Sequence, residues 1–216
     1  NKIYESYSKG ETVKYKFTRV DNETWRKAVK ENLPQKLSVE PKSKRKALIF
    51  SISPGYKHQV IPFAREVMQM LSEKTGACEL ISSNDIGLLE PDSIKQFDAI
   101  IFNNSCSHRI ERNLFRDILV HQVDTYGGKR KSLSLKEREE MAARIENGIL
   151  DYVSSGKGMM ILHGGITMMN NSSDFSSMMG ASFNFHPKQQ TINLHLATPT
   201  HPLLKGFEGK TFTHFD

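Results

Sequence analysis

Ala47-Leu48-Ile49-Phe50-Ser51-Ile52-Ser53 opens on four apolar residues and carries no charge. A strand with one wet face would alternate apolar and polar; this run reads as a strand buried on both faces. Pro54-Gly55 turns the chain, and Pro62 suits the first turn of a helix. Ile61, Ala64, Val67, Met68 and Leu71 then repeat at helical spacing up to Gly76. Cys78 to Ile81 and Asp98 to Asn103 are the next strands, joined over Asp85 to Gln96 by a connection with a short helical piece. A β-α-β-α-β order predicts a parallel sheet with right-handed crossovers, and so an α/β fold.

Upstream, a helix over Glu23 to Asn32 stops before Pro34, and Trp25, Val29 and Leu33 recur every four residues. Residues 34–46 hold Pro34, Pro41 and a basic cluster, Lys42 to Lys46, and read as a linker. Residues 1–46 are therefore expected to be an arm and linker, and 47–216 the domain.

Downstream, residues 104–133 are long, polar and basic, with Tyr126-Gly127-Gly128 in the middle. They read as an inserted loop of a length that is often functional. Ser134 to Glu137 has capping-box spacing, and Met141, Ile145, Ile149 and Val153 carry a helix to Gly156. Met159 to Leu162 is a fourth buried strand. It ends at His163-Gly164-Gly165, an unusual place for an imidazole, because chemistry in α/β sheets collects at strand ends. Ser173 to Met179 is a helix; Ala181 to Phe185, Thr191 to Leu196 and Thr211 to Phe215 are strands. The methionines crowding this region, Met159, Met160, Met168, Met169, Met178 and Met179, read as core filler.

The chain has 216 residues, 38% hydrophobic and 25% charged, enough for one domain with a substantial core. No run approaches the about 18 apolar residues of a membrane span. The net charge of +6 rests partly on Lys42 to Lys46 and Lys129 to Lys131. Neither cluster has interleaved aromatics, so both read as solvated loop charge and no nucleic-acid partner is expected. Two cysteines, Cys78 and Cys106, give no disulfide framework and no CxxC. The first residue is Asn1 rather than Met, which tilts the expectation toward an exported, periplasmic protein over a cytoplasmic one.

Six motifs then occur in order. They are Ser53-Pro54-Gly55-Tyr56-Lys57-His58; Gln96-Phe97-Asp98-Ala99 with Phe102-Asn103-Asn104; Ser155-Gly156-Lys157-Gly158 with His163-Gly164; Gly180-Ala181-Ser182-Phe183 with His186-Pro187; Thr200-His201-Pro202-Leu203 with Gly206-Phe207; and Phe212 to Asp216. Over about residues 45–216 the chain resembles the ThuA-like, or trehalose-utilisation, family. The resemblance implies a flavodoxin-like three-layer sandwich with a mostly parallel central sheet, related to class I glutamine amidotransferases. It also implies bacterial carbohydrate metabolism, with a keto-sugar such as 3-keto-trehalose as substrate and a sugar dehydrogenase as functional partner. The family pattern usually runs on past the last aspartate, so the domain is expected to be C-terminally incomplete at Asp216.

In amidotransferases of this fold a strand-to-helix turn carries a nucleophilic cysteine. Here that turn carries His163, so amidotransferase chemistry is not expected. A neutral histidine in that setting is a base or a ligand, and so is His58 ahead of the first helix. Gly164 and Gly165 leave room for a ligand and permit positive φ. His186 is held extended by Pro187, whereas His201-Pro202 reads as turn chemistry. The expected catalytic set is His58, His163, His186 and Asp216. Tyr56 is the candidate platform for a sugar ring, and Asn104, Ser105 and the backbone near Gly164 and Gly165 are the candidate donors to substrate.

His58, His163 and His186, with Asp216, would also offer the nitrogen and oxygen ligands that zinc accepts. No pair of them has helical i,i+4 spacing, so metal-dependent and metal-free readings both stand. Cys106 reads as an ordinary buried or loop thiol. Two functions are open: a hydrolase, lyase or isomerase acting on a keto-sugar, and a non-catalytic sugar-binding or regulatory module. Oligomeric state is open too, a homo-oligomer included.

Overall fold

A computed structural model describes residues 23–35, 37, 42–207, 209 and 211–215. The chain divides into two compact units, residues 18–183 and a smaller one that includes 184–216.

The larger unit holds a four-stranded parallel sheet. Its strands are β1 (Arg45–Phe50), β2 (Cys78–Ser82), β3 (Ala99–Asn103) and β4 (Gly158–Leu162), in the order β2-β1-β3-β4. The register aligns Leu48 with Ile100 and Ile81, and Ile100 with Met159. β1 and β3 are central, and Leu48, Ile49, Phe50, Ile100 and Phe102 are buried, as their unbroken apolar runs require. β4 corrects the expectation of a fourth buried strand: among the described residues it is an edge, and Met160 is 49% exposed. An apolar run of that length does not distinguish a central strand from an edge.

Helices cover both faces of the sheet, giving the α/β flavodoxin-like sandwich. Side chains alternate across a strand. Leu48, Phe50, Ile100 and Phe102 point to the face packed by Met141, Ala142, Ile145, Ile149 and Tyr152. The other face carries Ile49, Ile101 and Asn103, and Asn103 bonds to the start of the helix over Ile61–Thr75.

Seven α-helical segments occur among the described residues, beginning with α1 (Glu23–Asn32) and α2 (Ile61–Thr75). α1 docks on α2 through the face that its four-residue spacing predicts. Trp25 meets Phe63 edge-to-face at 5.0 Å, Arg26 pairs with Glu66, and Lys74 Nζ donates to Lys30 O and Leu33 O. α3 (Pro91–Ile94) follows a 3-10 turn over Ile86–Leu89 that Asp85 caps.

Residues 104–133 are not the open loop expected. They fold into α4 (Leu114–Arg116), a π-helical turn (Asp117–His121), α5 (Val123–Tyr126) and a 3-10 turn (Gly128–Ser132). Leu114, Phe115, Ile118 and Leu119 have no exposed surface. The segment is part of the core; its apolar residues follow short turns of different pitch, so no single period marks them. Arg130, read as loop charge, forms an ion pair with Asp85 at 2.5 Å and packs on Gly87, where a Cβ would strike its guanidinium.

α6 (Leu135–Ser154) starts with both hydrogen bonds of the Ser134–Glu137 capping box and ends before Gly156, at φ +91°. α7 (Ser173–Met179) follows β4. Met168 and Met169 are fully buried beside it, inside the core.

At the edge of the sheet away from the strand C-termini, Asp98 accepts from Lys46 N at 2.9 Å and pairs with Arg45 and Lys157. The Lys46 N–H, then the Lys157 and Arg45 charges, hold its carboxyl below the usual value. Tyr152 Oη donates to Phe97 O at 3.0 Å; burial, with Asp98 nearby, pushes that phenol up to about 12.

The smaller unit contains an antiparallel pair, β5 (Thr191–Leu194) and β6 (Phe212–Phe215). Phe207 and Phe212 stack there at 5.4 Å. No strand forms over 181–185. Instead Asn170 Nδ2 donates to Phe183 O, and the Arg112 guanidinium covers the Phe183 ring at 5.1 Å.

Candidate functional site

The C-terminal ends of β1, β3 and β4 lie side by side, and the order β2-β1-β3-β4 makes β1/β3 the switch point where ligands of open α/β sheets bind. Each of the three strands delivers one element of the site.

β1 runs into the loop that carries Tyr56 and His58. Ser53 Oγ donates to Tyr56 O at 2.9 Å and accepts from Cys106 N, while Gly55 N donates to Cys106 O at 3.0 Å. A Cβ on Gly55 would lie 2.3 Å from Ser107 O, so the loop approaches this closely only with glycine there. Gln122 Nε2 and Tyr126 Oη hold Pro54 O and Ser53 O from the far side. The 104–133 segment thus braces the histidine loop.

β3 ends in Asn103, followed by Asn104 at φ +53°. β4 ends before His163, at φ +47°. A positive φ at a non-glycine residue is strained. His163 is thus itself the sharp strand-to-helix turn. Gly164 and Gly165 do not supply the positive φ that the sequence suggests; they supply space. A Cβ on Gly164 would lie 2.3 Å from Cys106 Sγ and 2.8 Å from His58 Nε2, and one on Gly165 would lie 2.8 Å from Ile161 Cγ2.

The outcome is a cluster of rings. His58 and His163 meet edge-to-face at 4.5 Å, and Tyr56 meets His58 at 4.7 Å. Tyr56 is 73% exposed, His163 is exposed and His58 is half-buried. His163 Nδ1 lies 3.0 Å from Asn104 Oδ1, and Asn104 Nδ2 donates to Asn103 Oδ1 at 3.0 Å. Asn104 and Ser105 are buried and committed to protein partners, and Ser105 Oγ donates to Phe50 O at 3.3 Å.

His186 belongs to the smaller unit. It is exposed, with Nδ1 2.9 Å from Pro187 O. Asp216 lies outside the described residues. Among the described residues, no group of three or more His, Cys, Asp or Glu side chains is placed to hold a metal ion.

One participant is not evident from the sequence, and a second, Cys106, is the buried thiol its reading allows. Asn103 looks like the last residue of a strand, yet it anchors the amide chain behind His163. Cys106 is a buried thiol whose sulfur abuts Gly164, and burial raises its pKa. Only the Asn103-Asn104 pair at a strand end marks this support in sequence.

A protein-family model described as ThuA, trehalose utilisation, matches residues 46–216. The chain belongs to this family. Membership places it in trehalose utilisation, and the shared region takes in β1 from Lys46 onward and β2 to β6, with the residues of this site. A search of the curated proteins and one of the solved structures each returned no match. Among the described residues of this ThuA-family chain, no helix is long and apolar enough to cross a membrane.

Proposed function

We propose that this ThuA-family chain is an enzyme that acts on a keto-sugar, of which 3-keto-trehalose is the model substrate. The observation that carries this reading is the His58–His163 imidazole pair, 4.5 Å between ring centroids, beside the exposed Tyr56 ring at the ends of β1 and β4. A ketone acidifies the C–H bond beside it. One imidazole removes that proton as base, and the electron pair moves into an enolate whose oxygen needs a donor. Backbone N–H groups near Gly164 are proposed for that donor. The second imidazole acts as acid. The enolate then expels the glycosidic oxygen, a lyase outcome that becomes hydrolysis if water adds, or takes its proton back on the other face, an isomerase outcome. Tyr56 supplies a flat apolar face for the sugar ring.

The proposal extends to His186 and Asp216 as catalytic groups, each tested by its own substitution. It treats residues 1–46 as arm and linker and 47–216 as the domain. Because the substrate carries a ketone, an oxidation must precede this step, and a sugar dehydrogenase is the proposed functional partner.

The test is incubation of the protein with 3-keto-trehalose, followed by NMR, with added zinc, with chelator and with neither. Substrate loss that depends on His58 and His163 supports the reading, and the zinc and chelator arms decide whether a metal takes part. Binding of the sugar without turnover in all three arms overturns it in favour of a non-catalytic sugar-binding module.

A further inference from the structure

The starting point is a backbone carbonyl. Ile61 O can only accept a hydrogen bond, so the Asn103 atom 2.9 Å from it is the amide nitrogen, Nδ2. The same nitrogen lies 3.2 Å from Ser51 Oγ. The Asn103 oxygen is thereby turned toward Asn104, 3.0 Å away, and it too can only accept. The Asn104 atom facing it is therefore Nδ2. That leaves Asn104 Oδ1 as the atom 3.0 Å from His163 Nδ1. An amide oxygen has no proton to give, so the hydrogen between them is on the imidazole.

We infer that Asn103 and Asn104 are positioning residues that hold neutral His163 as the Nδ1–H tautomer and leave the lone pair on Nε2. Asn103 is fully buried and Asn104 is 1% exposed, so solvent does not compete for either amide. Flipping either one would set an oxygen against an oxygen or a carbonyl. Such a network specifies one arrangement because every buried member is satisfied. The second ring nitrogen of a functional histidine is usually fixed by a partner of this kind, and here the partner is a chain of two amides ending at the first carbonyl of α2. His58 and His163 are thereby coupled through the backbone as well as through their rings: His58 O accepts from Ile61 N at 3.2 Å, and Ile61 O anchors the amides that orient His163.

The value of this tautomer for catalysis rests on the function proposed above; the tautomer itself does not. The experiment is a long-range proton–nitrogen correlation spectrum of the full chain with 15N-labelled histidine, recorded where the imidazoles are neutral. His163 is assigned by the loss of its signals in His163→Gln. The expected pattern has a protonated Nδ1 and an unprotonated Nε2. In Asn104→Ala, which removes the acceptor, the pattern moves toward Nε2–H. Turnover in Asn104→Ala falls roughly a hundredfold in kcat, the scale of a lost general base, with KM near its original value. An Nε2–H pattern in the unaltered protein overturns the inference, whether or not the variants fold. An Nδ1–H pattern in a protein that turns over no keto-sugar leaves the inference standing and removes the proposed function.

Discussion

Asn104 and His163 are joined by a 3.0 Å hydrogen bond, and both occupy positive φ, +53° and +47°. Of the three non-glycine residues in that region among the described residues, two are thus bonded to each other at the ends of adjacent strands. Strain of roughly 1–3 kcal/mol at each such residue persists only where the surroundings enforce it. Asn104 N donating to Leu162 O, and Thr167 Oγ1 donating to Gly164 O, are two of the bonds that do so.

Gly164→Ala tests the closeness of the pair. The new methyl would meet Cys106 Sγ at 2.3 Å and His58 Nε2 at 2.8 Å. Both are side-chain termini and move, so the expected result is a folded protein with His58 displaced. Overpacking of this kind costs roughly 1–3 kcal/mol, and turnover falls at least about tenfold. Thermal melting and keto-sugar turnover, measured together, check it. A variant with unchanged turnover would show that the present His58 position is not required.

Much of the sheet was legible because β1 and β3 carry unbroken apolar runs and α2 and α6 keep a clean helical period. The capping residues Ser134 and Glu137 fall where their spacing puts them. The site was half legible. His58 and His163 stand at strand ends, and Tyr56 precedes His58 by two. What could not be read is the support. The positive φ is taken by Asn104 and His163, residue types that tolerate it better than most, but no local pattern marks these two positions for it. The buried Leu114 and Phe115 lie in an α-helical turn and Ile118 and Leu119 in a π-helical one, so no single period marks them.

Phe115→Ala tests whether the 104–133 segment belongs to the core. Phe115 has no exposed surface, and truncating a buried phenylalanine costs roughly 3–5 kcal/mol. The melting temperature is expected to fall by on the order of 10 °C. An inserted surface loop would tolerate the change with little loss. Because Gln122 and Tyr126 brace the His58 loop from this segment, the variant should also bind sugar less well below its melting point.

The Asp98 clamp gives stability a defined pH dependence. Its carboxyl is depressed below 3.8 in the folded protein, chiefly by the Lys46 N–H. The ionised form is favoured by folding, so the contribution is complete above 3.8 and is lost as pH falls through the lower folded value. Asp98→Asn removes it. The melting-temperature gap between the unaltered protein and Asp98→Asn is therefore widest near neutrality and closes in acid. Tyr152 acts at the other end of the scale: with its phenol at about 12 against an ordinary value of 10.0, stability falls as pH rises between the two. Tyr152→Phe abolishes that alkaline slope and costs about 1 kcal/mol at neutral pH for its lost bond to Phe97 O.

Tyr56 separates binding from chemistry. It is 73% exposed and touches His58 edge-on, so little of the fold depends on it. If it is a platform for the sugar, Tyr56→Ala raises KM by roughly tenfold, the worth of about 1.4 kcal/mol of ring contact, and leaves the melting temperature unchanged. Tyr56→Phe keeps the face of the ring and should keep KM. A different outcome, a fall in kcat with KM intact in both variants, would assign the Tyr56 hydroxyl to the chemical step. Steady-state kinetics of the two substitutions against the same keto-sugar distinguish these roles, because only the hydroxyl differs between tyrosine and phenylalanine and only the ring differs between phenylalanine and alanine.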